Sequence, residues 1–139
     1  KYQDIASNII EEIIKEVEKN KAERIVIDSL TVFSLFLQGD ADYRRRIYDL
    51  MEKLEKTGAT VLFISEREMQ GENDDFGTEA YAADGIIVLY FSTIGGTEGN
   101  NTSIRKMRRT EIPMGIFPME ISNKGISVKT ESVGNALLK

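Results

Sequence analysis

Residues 24–31 read Arg-Ile-Val-Ile-Asp-Ser-Leu-Thr. The first five, 24–28, are a short β-branched run that ends in an acidic residue. A strand with apolar residues on both faces is typical of a buried parallel strand flanked by helices. Asp28 stands at the carboxyl end of this strand, where α/β proteins bind their ligands. The pattern is common, however, and taken alone it is explained more simply by an aspartate that caps a loop.

Helices and strands are predicted to alternate around this segment. Apolar residues recur at three- and four-residue steps over 2–19 and 42–56, which is the pattern of a helix with one buried face. Further apolar strands are predicted over 60–65 and 85–91, separated by a polar loop with a short helix near 77–83. This alternation predicts a parallel α/β sheet.

The last third of the chain has the character of an antiparallel sheet. Residues 93–101 are rich in Gly and Asn and predict a turn, after which 103–109 form the return strand. Residues 115–121 and 126–130 are joined by Ser-Asn-Lys-Gly, which predicts a hairpin. The expected fold is therefore α/β, with a mainly parallel sheet flanked by helices, followed by antiparallel strands and a hairpin.

Composition rules out several kinds of chemistry. The 139 residues contain no cysteine and no histidine, so disulfides, zinc sites built from Cys or His, and Ser-His-Asp catalysis are excluded. The formal net charge is −5, whereas nucleic-acid binders usually show a basic face, so nucleic acid is a disfavoured partner. No apolar run is long enough for a membrane span. We expect a cytoplasmic protein without membrane contact.

Two further groups of residues could carry chemistry. Glu66 follows the strand over 60–65 and would lie near Asp28 if the two strands are neighbours. Such a pair could bind a metal or sense a phosphate, or it could be two solvated carboxylates. On the return strand, Lys106 and Arg108 are expected on one face, where two cations suit a polyphosphate. The alternative is an edge strand that its charges protect against aggregation.

The order of these motifs resembles the second half of a KaiC domain, within the RecA-like ATPases. The resemblance runs from about residue 2 to residue 130. Its most specific part is the Lys-x-Arg-x-Thr strand followed by the Pro-x-x-Ile-x-x-x-Gly-Ile hairpin. It implies that residues 1–130 are the C-terminal portion of a single KaiC/RecA-like ATPase domain and that 131–139 are a tail.

The resemblance also implies a role for each polar group. Asp28 matches the Walker B aspartate, which helps to hold the Mg²⁺ of MgATP through water. Ser29 follows it at a peptide bond that is often cis in RecA-like folds. Glu66 sits where the superfamily carries a phosphate-sensing polar group. Lys106 and Arg108 match the basic pair that reaches across a subunit interface to the γ-phosphate of a neighbour. Asp28 and Ser29 are thus the expected cofactor-binding residues, and the other three the catalytic ones.

The chain also departs from the family pattern. A phosphate loop needs Gly-x-x-x-x-Gly-Lys-Ser/Thr, and neither Gly-Lys-Ser nor Gly-Lys-Thr occurs in these residues. The acidic pair that polarises the attacking water would lie upstream of Lys1, and Arg109 stands where the family tends to have Gly. We therefore expect ATP and Mg²⁺ to act in the complete domain, neither to be bound by this chain alone, and this chain alone to be inactive.

Three functions are compatible with the sequence. The leading one is part of an ATPase that binds and hydrolyses ATP at the subunit interfaces of a ring, a hexamer. Self-association is also expected because the absent first strand should leave an unpaired apolar edge or face. The second is a DNA-dependent ATPase of the RecA/RadA type, disfavoured because the segments that would contact DNA, 31–41 and 68–80, contain no Lys or Arg. The third is a non-catalytic oligomerisation or interaction module.

Overall fold

The chain divides into two compact units, Lys1–Ala82 and Ala83–Lys139. The computed structural model describes residues 2–35, 37, 39–66, 76–94 and 97–129. The predicted loop over 67–75 and the predicted tail over 131–139 lie outside the described residues. Within the described ranges, no helix has the length and apolar character that a membrane crossing requires.

The first unit has the predicted alternation of helices and strands. Its elements are α1 (Tyr2–Asn20), β1 (Arg24–Asp28), α2 (Leu30–Ser34), α3 (Asp40–Lys56), β2 (Thr60–Ile64) and α4 (Gly77–Ala82). β1 and β2 pair in parallel, with Asp28 opposite Ile64. The predicted helices and strands are confirmed to within two residues. The exception is α2, which the sequence analysis did not predict.

The core of this unit lies between the β1–β2 sheet and the long helices. Alternate strand residues point to opposite faces, and Ile25, Ile27, Val61 and Phe63 all pack against the core. The buried core residues are Ala6, Ile10, Val17, Leu30, Phe33, Ile47, Leu50 and Leu54. α1 and α3 therefore cover the same face of the sheet.

The opposite face of the sheet is apolar and exposed. Val26 is 61% exposed and Leu62 is 55% exposed, and Ile64 is exposed beside them. The prediction that helices bury β1 on both faces is wrong for these residues, because both long helices lie on the other side. Parallel sheets are normally covered on both faces, and this sheet is covered on one. The expectation of an uncovered apolar face is confirmed by the exposure of these side chains.

Two leucine substitutions distinguish the core face from the exposed face. Leu50→Ala is expected to lower the free energy of unfolding by about 2–5 kcal/mol, because Leu50 is 1% exposed. Leu62→Ala removes the same atoms from a side chain in solvent and is expected to cost less than about 1 kcal/mol. Denaturant unfolding of both variants measures the difference. Equal losses would contradict the placement of the core.

The second unit is an antiparallel sheet in the order β3-β4-β5-β6. Its strands are β3 (Gly85–Ile94), β4 (Thr97–Met107), β5 (Phe117–Ser122) and β6 (Gly125–Val128). The predicted hairpin is confirmed, since Ser122 pairs with Gly125 across its turn. Gly125 has a φ of 112°, a conformation that glycine adopts without steric cost.

The turn predicted over 93–101 is much shorter than expected. β3 runs on to Ile94 and β4 begins at Thr97, so Asn100 and Asn101 are strand residues. They pair with Phe91 and Tyr90. The low strand propensity of Asn is overridden by cross-strand pairing, and the buried Asn101 amide donates to the Gly99 carbonyl at 3.0 Å.

The end of β4 departs from a regular strand. The register shifts so that Ile86 pairs with Lys106 while Ile87 pairs with Ile104, and Arg105 is the extra residue of a β-bulge. The strand then ends at Met107, which leaves Arg108 in the following turn. The bulge precedes Lys106 and the strand ends before Arg108, so the common face inferred for these two residues stays a prediction.

Candidate functional site

The carboxyl ends of β1 and β2 lie side by side and carry the predicted acidic residues. Asp28 pairs in register with Ile64, and Glu66 follows two residues later; both acids are exposed. The backbone N–H of Glu66 donates to Thr31 Oγ1 at 3.1 Å. This bond ties the segment after β1 to the segment after β2. The structure thus brings Asp28 and Glu66 to one edge of the sheet.

The backbone after Asp28 is anchored to the core. The peptide bond between Asp28 and Ser29 is cis, as the resemblance implied. The next residue, Leu30, is fully buried and begins α2. Because Leu30 is held in the core, the segment that carries Asp28 and Ser29 has a defined path at the edge of the sheet.

A cavity of about 350 Å³ opens beside these strand ends. The residues that line it include Thr31, Asp40, Tyr43, Glu66 and Glu79. Its size is at the small end of the range found for ligand pockets, about 300–1,000 Å³. Of the predicted site residues in this unit, Glu66 lines the cavity, and Asp28 and Ser29 do not. The carboxyl ends of parallel strands are the usual place for a ligand in an α/β protein.

Glu79 is a buried carboxylate that the sequence analysis missed. It is 7% exposed. Its Oε2 accepts a hydrogen bond from the Tyr43 hydroxyl at 3.4 Å, and its Oε1 accepts one from Ser65 Oγ at 3.3 Å. These bonds connect α3, the end of β2 and α4. The available signal was that Glu79 is the only charged residue between 76 and 83, an isolated acid among small and apolar side chains.

Substitutions of Glu79 test this network. Glu79→Ala is expected to lower the free energy of unfolding by about 1–3 kcal/mol, because two hydroxyl groups lose their acceptor. Glu79→Gln keeps an oxygen acceptor and a similar shape, so it is expected to retain more than half of that stability. Denaturant unfolding of both variants is the measurement. An equal loss in the two variants would contradict the hydrogen-bonding account.

The predicted basic residues belong to the second unit, at the end of β4. Lys106 is half-buried and pairs in register with Ile86. Arg108 lies in the turn that follows, where its Nη1 is 3.0 Å from Asp84 Oδ1. The backbone N–H of Arg108 also donates to the Asp84 carbonyl at 2.8 Å. The structure thus places both cations beside the start of β3.

Arg109 occupies the position where the resemblance noted a family preference for Gly. Its φ is 59°, which lies in the left-handed region. Residues with a side chain pay about 1–2 kcal/mol for this conformation, and glycine does not. The turn behind the basic residues therefore keeps a shape that suits glycine, and Arg109 adopts it at a cost.

The acidic residues could supply only some of the ligands of a magnesium site. Among the described residues, no group of three or more acidic side chains could hold a metal ion. Mg²⁺ in proteins is usually held by one or two carboxylates together with waters and substrate phosphates. The exposed carboxylate of Asp28 suits such a site, in which a nucleotide would supply further ligands.

The structure is that of an α/β protein whose candidate ligand site lies at the carboxyl ends of parallel strands, where such proteins usually bind ligands. Comparison with protein families gives a more specific result. The family model "ATPase: KaiC" matches residues 1–133. The chain therefore belongs to the KaiC family of ATPases, and the resemblance inferred from its motifs is confirmed.

Individual relatives agree with this assignment. The circadian clock oscillator protein KaiC of one Prochlorococcus marinus strain is 33% identical over 134 residues, which cover 91% of this chain and 26% of the relative. The KaiC of Synechococcus elongatus is 33% identical over 125 residues, covering 88% and 24%. The chain thus spans about a quarter of the length of these curated relatives.

A solved structure extends the comparison to the fold. The crystal structure of a KaiC-like protein from the hyperthermophilic archaeon Pyrococcus horikoshii OT3 matches with a TM-score of 0.76 and 31% sequence identity. The match covers 89% of this chain and 56% of that chain. The α/β fold of the RecA-like ATPases, predicted from the sequence, is confirmed.

Proposed function

We propose that residues 1–130 are the C-terminal portion of one ATPase domain, completed by a phosphate loop from outside these 139 residues. In the complete protein, ATP is bound and hydrolysed at the subunit interfaces of a ring, a hexamer. The observation that carries this proposal is the position of Asp28. It ends a parallel strand beside the end of β2, in a chain of the KaiC family.

Asp28, Ser29 and Glu66 have separate roles in this proposal. Asp28 would accept hydrogen bonds from waters that surround a bound Mg²⁺, and Ser29, the next residue, would lie beside this position. When bound, Mg²⁺ neutralises charge on the phosphate oxygens of ATP. Glu66 follows the neighbouring strand and would sense the phosphate of a bound nucleotide. The hydrogen bond from its backbone N–H to Thr31 Oγ1 fixes the backbone there.

Lys106 and Arg108 act on the nucleotide of the neighbouring subunit. Phosphoryl transfer depends mainly on positioning and on electrostatic stabilisation of charge on the transferred group. A guanidinium can contact two phosphate oxygens at once, whereas an ammonium acts as a point charge. The pair thus supplies positive charge at an interface, and hydrolysis requires assembly.

Exposed apolar faces support the proposed assembly. In the first unit, Val26 and Leu62 are exposed on β1 and β2; in the second, Ile87, Leu89 and Phe91 are exposed along β3. Monomeric soluble proteins rarely expose large contiguous apolar patches. Association with a further copy or with the rest of the domain would remove these side chains from water.

The chain alone provides a first test. It is expected to release phosphate from ATP no faster than buffer, because the phosphate loop supplies most of the contacts to the phosphates. It is also expected to associate, as measured by light scattering. A Mg²⁺-dependent turnover that Asp28→Ala abolishes, with Glu52→Gln as an active control, would contradict the first expectation. A stable monomer would contradict the second.

The exposed faces also suit the alternative of a non-catalytic interaction module. Removing Lys106 and Arg108 discriminates the two, since a scaffold would be little affected and an ATPase would lose turnover. The DNA-dependent ATPase predicts a steep dependence of DNA affinity on salt concentration. Weak or absent nucleic-acid binding and a cytoplasmic location both stay predictions.

A further inference from the structure

We propose that Asp84 is a positioning residue that holds the Arg108 guanidinium in the direction from which it meets a phosphate. This inference rests on the proposed function of Arg108 and adds a residue to which no role was assigned. Asp84 immediately precedes β3, and Arg108 immediately follows β4. The two residues therefore meet at the end of an antiparallel strand pair.

The backbone fixes the distance between the two residues. Gly85 pairs with Met107, and the bond from the Arg108 N–H to the Asp84 carbonyl, at 2.8 Å, continues this pairing by one residue. The Met107 side chain packs over Gly85, since a Cβ on Gly85 would lie 2.8 Å from Met107 Sδ. The register of the sheet thus brings the Arg108 side chain beside Asp84.

The side-chain contact is suited to directing a cation. Arg108 Nη1 lies 3.0 Å from Asp84 Oδ1, and the side chains are 53% and 85% exposed. Ion pairs this exposed add little to stability, so this contact chiefly restricts the directions that the long arginine side chain samples. A nucleotide phosphate carries more negative charge than one carboxylate and can therefore displace Asp84 as the partner of the guanidinium.

If Asp84 orients Arg108, a change of Asp84 should lower the rate of hydrolysis and leave the affinity for the substrate unchanged. A small displacement of a catalytic group can cost up to about 100-fold in rate. Arg108 remains present and charged when Asp84 is changed, and the nucleotide is bound mainly elsewhere. We therefore expect Asp84→Asn to lower kcat for ATP hydrolysis by about two- to fivefold and to leave KM unchanged.

The experiment uses the protein expressed from its full coding frame. Glu52→Gln is the matched control, because it removes the carboxylate of a similarly exposed ion pair, with Lys56 at 2.6 Å, in the other unit. Asp84→Asn is also made in an Arg108→Ala background, where it is expected to have no further effect. An unchanged or raised kcat in Asp84→Asn alone would overturn the proposal.

Two other outcomes separate this proposal from the proposed function. A loss that persists in the Arg108→Ala background would show that Asp84 acts through another group, and would overturn this proposal alone. An Arg108→Ala variant with full activity would overturn both. If the protein shows no turnover, the side-chain ¹⁵N NMR signal of Arg108 decides: Asp84→Asn is expected to shift it and Glu52→Gln is not, and no shift would overturn the pairing.

Discussion

Arg108→Ala is expected to reduce ATP turnover by the protein expressed from its full coding frame by about 10³-fold or more. The physical reason is that an arginine supplied by a neighbouring subunit stabilises charge on the transferred phosphoryl group. Nucleotide affinity should remain nearly unchanged, because the phosphate loop makes most of the contacts to the bound ATP. Lys106→Ala is expected to act in the same direction.

Steady-state kinetics and a nucleotide-binding assay on the same samples measure both effects. Arg24→Ala is the matched control, since Arg24 is an exposed arginine paired with Glu23 at 3.3 Å, at the opposite end of β1 from Asp28. An Arg108→Ala variant that retains wild-type turnover would exclude a catalytic role for this residue. A variant that loses nucleotide binding instead would assign Arg108 to the binding site.

Asp28→Ala is expected to lower turnover of the same protein by about 10–100-fold. In the proposed site, Asp28 would hold the waters of a bound Mg²⁺ and would touch the metal only through them. The loss should be larger at low Mg²⁺ concentration, so a titration of Mg²⁺ at saturating ATP is the measurement. Asp49→Asn, which removes a surface carboxylate paired with Lys53, serves as the control. Identical Mg²⁺ dependence in wild type and Asp28→Ala would contradict this role.

The parts of the fold set by local periodicity could be predicted from the sequence. The apolar residues of α1 and α3 recur at three- and four-residue steps, and in each helix they form one buried face. The β-branched run of β1 forms one strand. Their ends were therefore predicted within two residues. Asp28 and Glu66 could be predicted as neighbours for a related reason, because parallel strands present their carboxyl ends at the same edge.

The remaining features depend on contacts between distant parts of the chain. Asn100 and Asn101 have weak strand propensity, and only their pairing with Phe91 and Tyr90 places them in β4. The bulge at Arg105 depends on the register with β3, which no local pattern specifies. Glu79 lies in a short helix, and its burial depends on Tyr43 and Ser65, which are far from it in sequence.

The exposed apolar face of the first sheet shows a second way in which the sequence pattern and the structure differ. The sequence of β1 predicted burial on both faces, and the structure covers one of them. The residues concerned, Val26 and Leu62, have the composition of a core but lie in solvent within these 139 residues. An apolar residue in a strand pattern is suited to contact other apolar residues. The pattern does not specify which part of the protein supplies them.

The central claim is that one ATP site combines Asp28 of one subunit with Arg108 of its neighbour, and a mixing experiment tests it most directly. Asp28→Ala and Arg108→Ala proteins, each with strongly reduced turnover alone, are mixed under conditions that allow subunits to exchange. In a head-to-tail ring with random mixing, about a quarter of the sites would join an intact Asp28 to an intact Arg108. We predict recovery of about that fraction of wild-type turnover. No recovery, despite demonstrated exchange of subunits, would contradict the shared site.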